Sequence, residues 1–184
     1  MVRAEGRANA TQADLGLPST APAPPNKWYS FPSGGNVAFA EVTDGLSNTL
    51  CMSEAKNGYF DGRDELIGAN VYDLRGWIAY SPSALFSAFL APNSSTGDIS
   101  EQPTYCYHND PKFPCQVGVK SMVDVNAGAG EPAVNYYVRG ARSYHTGGVN
   151  CSLADGSVQF VSDTVNIATW RAMASAAGGE SVSF

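Results

Sequence analysis

The residues best suited to chemistry in this chain are His145 and the carboxylates Glu54 and Asp44. An imidazole beside carboxylates serves general acid–base catalysis, and the same side chains bind the metal ions that activate water. Such a group predicts a metal-dependent hydrolase of phosphate or sulfate esters. The alternative is structural: residues 43–49 are dense in short hydrogen-bonding side chains, which form turns that lead into strands. We favour the structural role.

Asp155 is a further candidate metal ligand, together with His145. If residues 149–154 are extended, that strand spans about 20 Å at roughly 3.3 Å per residue and separates the two side chains. Asp155 is better explained as part of an Asp-Gly turn, and His145 as a residue that fixes the entry to the strand. We therefore expect structural roles for both, with a cleft at His145 as the alternative.

Another group of oxygen ligands comprises Asp61, Asp64 and Glu65, which surround Gly62 in the sequence. Calcium binds through such oxygens, but the spacing does not match the alternating acids of an EF-hand loop. A solvated acidic turn is the simpler interpretation. The cofactor prediction is accordingly none, or a divalent ion: calcium at such a turn, or zinc if the chain is an enzyme.

The composition suits one β-rich domain that does not bind nucleic acid. Of 184 residues, 43% are hydrophobic and 15% are charged, with 19 glycines and 11 prolines, which favours short strands and many turns. The net charge is −6 and the cations are scattered, so phosphates and anionic membrane surfaces are poor partners. We expect residues 33–184 to form one globular domain, preceded by an extended or partly ordered arm, residues 1–32.

The C-terminal third predicts a β-hairpin. Residues 149–154 and 157–161 are rich in apolar and β-branched residues, and Asp155-Gly156 between them predicts a type I′ turn. Gly147-Gly148 permits a sharp entry into the first strand, because glycine adopts backbone angles that a β-carbon obstructs.

A terminal helix is predicted after the hairpin, with Asn166 as its cap and Gly178 as its stop. Its apolar stripe comprises Ile167, Trp170, Met173, Ala174 and Ala177. A strand at residues 75–80 is expected to add Trp77 to the main core. The predicted fold class is α+β: a mainly antiparallel sheet with a C-terminal hairpin and a terminal helix packed on the sheet.

Two motifs, in this order, resemble those of a known family. The first runs from Asp44 through Gly-Leu-Ser-Asn-Thr-Leu to Glu54; the second is His145, nine residues and Asp155-Gly156, followed by a strand, a Trp-containing helix and Gly-Gly-Glu. Together they resemble a large planctomycete family of uncharacterised prepilin-like proteins, over roughly residues 36–184. Members of that family begin with a prepilin-type cleavage and methylation segment and a long apolar helix, so we expect this chain to be the globular part alone.

The resemblance implies a pseudopilin-like domain in the cell envelope or the extracellular space. Its expected role is structural or in assembly, with other pilin-like or secretion-system subunits as partners; fold-level analogy alone supports this expectation. Besides the hydrolase, a carbohydrate-binding module is an alternative, because exposed aromatic side chains such as Trp28 and Tyr144 can stack on sugars.

Four cysteines are candidates for disulfides. Export, which the resemblance implies, favours two disulfides over four buried thiols. The short loop between Cys106 and Cys115 favours that pair. Cys51 and Cys151 would then form the second bridge, between strands that are expected to be neighbours.

Overall fold

A computed structural model describes residues 38–58, 60–64, 68–77, 87–99, 105–107, 110–116 and 138–179 of the chain. The elements are a 3₁₀ helix, Phe39–Glu41, and then β1 (Leu50–Ser53), β2 (Phe60–Asp64), β3 (Ala69–Tyr72), β4 (Gly148–Leu153), β5 (Val158–Ser162) and α1 (Ile167–Met173). The predicted arm, residues 1–32, lies outside the described residues. In the described ranges, no helix is long and apolar enough to cross a bilayer.

The main sheet is antiparallel and three-stranded, in the order β1-β4-β5, while β2 and β3 pair as a separate antiparallel hairpin. Strand β4 alternates in character: Val149, Cys151 and Leu153 face the core, whereas Asn150 and Ser152 face outward. Helix α1 packs on the inner face of the main sheet. This arrangement confirms the predicted α+β class with its C-terminal hairpin and terminal helix.

Trp170 is the centre of the main core. Its side chain is fully buried, and its indole Nε1–H donates to the Leu90 carbonyl at 2.9 Å, so this large ring is buried with its polar atom paired. The buried residues that form one cluster with it are Leu50, Ala88, Ala141, Val149, Cys151, Leu153, Val161, Met173 and Ala174. The predicted place of Trp170 in the core is therefore confirmed.

Asn166 caps α1 as predicted. Its Oδ1 accepts from the Ala168 N–H at 2.8 Å and from the Thr169 N–H at 3.4 Å, which pairs two donors that the first turn of a helix leaves open. Ile167 was predicted in the core, but it is 38% exposed. The helix enters the core one turn later, at Trp170.

The end of α1 differs from the prediction. The helix stops at Met173 and not at Gly178, because the backbone beyond it bonds to the turn at residues 43–49 instead of continuing as a helix. The Asp44 N–H, for example, donates to the Ala176 carbonyl at 3.3 Å. The last residue of the predicted stripe, Ala177, is exposed as a result.

The β4–β5 hairpin reverses at Asp155-Gly156, but the turn type differs from the prediction. The Gly156 N–H donates to the Leu153 carbonyl at 3.0 Å, and the Leu153 N–H donates to the Ser157 carbonyl at 2.9 Å, which closes a three-residue loop. Gly156 has a φ of +87°, while Asp155 has a negative φ. The loop is therefore a type I turn followed by a left-handed glycine, not a type I′ turn.

Two glycines shape the entry to β4. Gly147 has a φ of +84°, which favours glycine. A Cβ at Gly148 would collide with the Val161 carbonyl and the Phe160 ring of the neighbouring strand. The first residue of β4 therefore has no room for a side chain on this face.

One of the two predicted disulfides is present. Cys106 and Cys115 are bonded, with their α-carbons 6.2 Å apart. Cys51 and Cys151 are free thiols, so the second predicted pair is wrong. Burial raises the pKa of Cys151 to about 11, and this thiol is therefore protonated at neutral pH.

The register between β1 and β4 explains the missing bridge. The two strands are neighbours, as the prediction required, but Ser53 lies opposite Cys151, and the Cys151 thiol donates to the Ser53 hydroxyl at 3.3 Å. Cys51 is the extra residue of a β-bulge between Leu50 and Met52. Cys51 lies between Leu50, which faces Leu153, and Met52, which faces Ser152. The register therefore does not place Cys51 opposite Cys151, as a disulfide between the two strands would require.

The strand predicted at residues 75–80 is absent from its described part. Residues 75–77 form a turn in which Gly76 has a φ of +79°. Trp77 is 45% exposed, not in the main core as predicted. Its indole Nε1–H donates to the Gly58 carbonyl at 3.0 Å, so the ring lies against the backbone of a neighbouring segment.

Charged side chains form a second core. Asp73, Arg75, Asp98 and Arg142 are all buried, with at most 2% of each side chain exposed. Arg75 bonds Asp73 at 2.6 Å and Asp98 at 3.3 Å, and Arg142 bonds Asp98 at 2.9 Å. Two guanidinium groups and two carboxylates therefore balance each other in a place that excludes water. We call these four residues the buried ion network.

Backbone carbonyls satisfy the remaining donors of the buried ion network. Arg142 donates to the carbonyls of Ser94 and Thr96 at 2.7 and 2.9 Å. Arg75 donates to the Phe113 carbonyl at 3.0 Å, and its guanidinium stacks on the Phe113 ring, 3.4 Å from the centroid. A buried ion is tolerated only when it is both paired and hydrogen-bonded, and the arginines meet both conditions.

Gly156→Val should lower the free energy of unfolding by about 1–3 kcal/mol, because a β-branched residue resists a positive φ. A Cβ added at Gly156 would have no neighbouring atom within 4 Å. The loss of stability would therefore come from backbone strain and not from a steric clash. Gly156→Asn is the matched control and should lose less, because Asn adopts positive φ more readily. Urea denaturation measures both variants. Unchanged stability of the valine variant would contradict the assigned turn.

Asp98→Asn should lower the free energy of unfolding by about 3–5 kcal/mol, because it leaves two buried guanidinium groups without their shared counter-charge. Glu41→Gln is the control: it removes one exposed carboxylate and should change stability by no more than about 0.5 kcal/mol. Chemical denaturation compares the two. Equal effects would show that the buried ion network does not hold the fold.

Candidate functional site

The outer face of the main sheet carries the site. Strand β4 contributes Asn150 to this face, and β5 contributes Phe160, which lies directly opposite Asn150. Glu54 follows β1 directly, and His145 lies in the loop before β4. Because β1 and β4 are antiparallel, the end of one strand meets the start of the other. Glu54 and His145 therefore come together at one end of the sheet.

Glu54 is bonded through both carboxylate oxygens. Its Oε2 accepts from the Asn150 N–H at 2.8 Å. Its Oε1 accepts from the Asn150 side-chain amide at 3.1 Å and from His145 Nε2 at 3.0 Å. The backbone extends the pairing of the strands, since the Glu54 N–H donates to the Asn150 carbonyl at 3.0 Å. Both the position and the rotamer of Glu54 are thus fixed.

His145 is oriented by this carboxylate while its ring meets solvent. Because an ionised carboxylate only accepts hydrogen bonds, Nε2 carries a proton, and Nδ1 is an acceptor whenever the ring is neutral. The side chain is 55% exposed. Its ring packs edge-on against Phe160, with the two centroids 6.4 Å apart.

Ser143 and Asn93 hold the loop that carries His145. The Ser143 hydroxyl accepts from the His145 N–H at 3.1 Å and donates to the Gly148 carbonyl at 2.6 Å. Asn93 accepts from the Ser143 N–H at 2.8 Å and donates to Asp163 at 2.9 Å. Asn93 does so at a φ of +49°, which Asn tolerates better than most residues. The loop is therefore fixed at both ends.

Hydrogen bonding lowers the pKa of Glu54 below its ordinary value of 4.5. Partial burial acts in the opposite direction, since it disfavours the charged form. The bonds from the backbone and side chain of Asn150, and the bond and charge of His145, outweigh it. Glu54 is therefore ionised at neutral pH.

The Glu54–His145 pair supplies the oriented imidazole that general-base catalysis requires. Glu54 orients the imidazole, and Nδ1 can take a proton from a molecule that approaches from solvent. In the described part of the chain, no hydroxyl or thiol side chain hydrogen-bonds the ring, so no nucleophile accompanies it there. The described residues also contain no group of three His, Cys, Asp or Glu side chains arranged to hold a metal ion.

Asp44 lies apart from His145. Its carboxylate accepts from the N–H groups of Gly178 and Gly179 at 2.8 and 2.9 Å. It precedes β1, whereas Glu54 follows that strand, so the two carboxylates are at opposite ends of β1. The structure therefore brings together two of the three candidate catalytic residues and gives Asp44 a structural contact.

The remaining candidate metal ligands also lie apart from His145. Asp155 is in the hairpin turn at the far end of β4, where its carboxylate accepts from the Ser157 hydroxyl at 2.6 Å. Asp61 and Asp64 belong to β2, so the acidic turn predicted there is a strand paired with β3. Glu65 lies outside the described residues.

Tyr144 was named above as one of the aromatic side chains that could stack on a carbohydrate, and it lies within the described residues. It is 82% exposed, and the Lys56 ammonium lies 4.6 Å from its ring centroid, within the range of a cation–π interaction. Trp28 lies outside the described residues.

Sequence reasoning missed Asn150 and Phe160 as members of the site. Strand alternation was the signal that could have found them, since it sets Asn150 on the face opposite to Val149 and Cys151. Alternation does not supply the register, which sets Phe160 opposite Asn150.

The fold and the site define a small α+β domain whose main sheet is covered by a helix on one face. The chain belongs to the family described as "Protein of unknown function (DUF1559)", whose model matches residues 4–168. The matched range includes the motif from Asp44 to Glu54 and the spacing from His145 to Gly156. A search of curated proteins and a search of solved structures gave no match.

Glu54→Gln should destabilise the protein at neutral pH and have little effect in acid. The folded-state pKa of Glu54 is depressed, so its ionised form stabilises the fold above the unfolded-state pKa. That contribution is lost as the pH falls through the folded-state pKa. Melting temperatures of the wild type and the variant should therefore converge between about pH 7 and about pH 3. A gap that stays constant over this range would contradict the assignment.

Proposed function

We propose that this chain is the globular domain of a pilin-like or pseudopilin-like protein of the cell envelope, with a structural or assembly role. The observation that carries this proposal is a group of apolar side chains on the outer face of the main sheet. Met52 is 56% exposed, Val158 is 68% exposed and Phe160 is 55% exposed. We call these three residues the outer apolar patch.

The members of the outer apolar patch lie on the same face of the main sheet, and Ser152 separates Met52 from Val158. Met52 and Val158 lie opposite Ser152 on its two sides, and Phe160 follows two positions after Val158 on the same face. Scattered exposed apolar residues are ordinary, whereas three on one face of a small sheet favour an interaction surface. Association with other subunits would bury this group.

The family-like motifs support a structural role, because their described residues stabilise the scaffold. Asp44 holds the backbone that follows α1, and Asp155-Gly156 forms the hairpin turn. Glu54 and His145 join the end of β1 to the start of β4. The resemblance of these motifs to prepilin-like proteins supplies the envelope location and the pilin-like or secretion-system partners.

The disulfide supports the proposed location. Bonds such as Cys106–Cys115 persist in oxidising compartments outside the cytoplasm and are rare within it. An exported or envelope-bound domain is therefore the simplest setting for this chain.

An ester hydrolase is the second candidate, and the Glu54–His145 pair is the observation that favours it. Glu54 fixes the ring through Nε2 and leaves Nδ1 facing no described partner, as a general base requires. Saturation of the Glu54 carboxylate by protein donors favours the structural role, since both oxygens are already used to hold β4.

Cross-linking in cells that make the protein tests the assembly role. Species larger than the monomer should form, and the double variant Met52→Ser, Phe160→Ser should reduce their yield by about tenfold, since each lost apolar contact weakens association. The control is Phe39→Ser, which removes an apolar side chain that is 73% exposed outside the sheet and should leave the yield unchanged. Equal yields from the double variant and the control would contradict the proposal.

Activity assays complete this test. Turnover of phosphate and sulfate esters should stay at background with and without a chelator, in the wild type and in His145→Ala. A defined turnover that His145→Ala abolishes, in a protein that stays folded, would replace the assembly role by the hydrolase.

A further inference from the structure

The free edge of β5 is defined by the hydrogen bonds on its other side. The Leu153 N–H donates to the Ser157 carbonyl, and the Asp163 N–H donates to the Gly147 carbonyl, each at 2.9 Å. In an antiparallel pair, alternate residues of a strand bond to the neighbour. The backbone groups of residues 157, 159, 161 and 163 therefore face β4, and those of residues 158, 160 and 162 face away from it.

The outward backbone groups of Val158 and Phe160 make no hydrogen bond to any described residue. Their side chains are also exposed, as members of the outer apolar patch. An added strand would therefore gain backbone hydrogen bonds and apolar contacts from the same two residues. This combination characterises β-strand addition, in which backbone bonds give affinity and alternate side chains give specificity.

The edge of β5 lacks the features that protect other sheet edges. Residues 156–162 contain no charged residue and no proline, which are the usual safeguards against edge pairing. Strand β1, at the opposite edge, carries a bulge at Cys51 and is followed by the ionised Glu54. A bulge and a charge both discourage pairing. Among the described residues, the two edges of the main sheet are thus unequal, and β5 is the edge without these safeguards.

We propose that a second copy of this chain adds its β5 antiparallel to β5, with Phe160 opposite Phe160 of the other copy. This inference rests on the proposed assembly role. It identifies a second copy of the chain as the partner and strand β5 as the contact. In this register, Val158 lies opposite Ser162, and Ser157 lies opposite Asp163, so no two like charges face each other. The pairing is two-fold symmetric, and the same surface serves both copies.

Charge favours a copy that approaches through this edge. The chain carries a net charge of −6, so the approach of two copies is opposed by like charge. Residues 156–162 are uncharged, and the polar groups that they bring are self-complementary backbone donors and acceptors. The result is a continuous six-stranded sheet in which the two outer apolar patches adjoin at Phe160.

Site-specific cross-linking of the purified chain tests the register. In a Cys51→Ser background, Phe160→Cys should form a disulfide-linked dimer under mild oxidation, because hydrogen-bonded antiparallel pairs place α-carbons about 5.5 Å apart, within reach of a disulfide. Gln159→Cys is the matched control on the same strand. Its partner in this register is residue 161, so it should cross-link at least tenfold less. Equal cross-linking at the two positions would overturn the register.

Sedimentation velocity tests the use of the backbone edge. The wild type should dimerise with increasing concentration, Val158→Ala should retain a dimer, and Val158→Pro should be monomeric, because proline removes the outward N–H. The melting temperature of the dilute proline variant should match that of the wild type, since this N–H has no partner within the sheet. A wild type that is monomeric at every concentration, or a dimer that survives Val158→Pro, would overturn the proposal.

The two proposals fail in different ways. If cross-linked species in cells depend on Met52 and Phe160 but not on Val158→Pro, assembly through the patch stands and β5 pairing is wrong. If ester turnover depends on His145, the assembly role itself is wrong, whatever the state of the purified chain.

Discussion

The carboxylate of Asp98, shared by two buried guanidinium groups, is the interaction on which the rest of the structure depends. Around it lie segments outside the named helices and strands, at residues 73–75, 94–98, 113–116 and 138–142, which isolated backbone bridges such as that between Asp98 and Cys115 also join. Arg75 and Arg142 bind these segments through charge and through donation to backbone carbonyls. A buried charge that loses its partner is strongly destabilising. Movement of one segment would break an ion pair with another, so the network holds all of these segments in place.

The site is an extension of this network. The Arg142 N–H donates to the Glu54 carbonyl at 3.1 Å, so the residue that balances Asp98 also positions the residue that holds His145. One position further, Ser143 begins the loop that leads through His145 into β4. Displacement of Arg142 would therefore be transmitted to both halves of the Glu54–His145 pair. An imidazole held this firmly suits a joint between strands as well as it suits a general base.

The two faces of the main sheet differ in burial. The inner face is closed by Trp170 and α1, and the polar atom of the indole is satisfied by a backbone carbonyl. The outer face presents Met52, Val158 and Phe160 to solvent beside the Glu54–His145 pair. Keeping apolar side chains exposed costs free energy that burial would recover, which is the physical reason to expect a partner on this face. In the proposed pairing, the edge of β5 would add direction, because backbone hydrogen bonds fix the orientation of an added strand.

The sequence by itself determined the features that depend on neighbouring residues. The Asn166 cap, the reversal at Asp155-Gly156 and the alternation of β4 follow from local backbone preference and side-chain period, and each could be predicted. Only the tertiary structure decided the register that leaves Cys51 and Cys151 unpaired, the partners of Asp98, and the meeting of Glu54 with His145, which lie 91 positions apart. Register and the pairing of buried charges are set by contacts between distant segments, and the free energy of such a contact depends on the other contacts that bring those segments together. No local pattern contains that information.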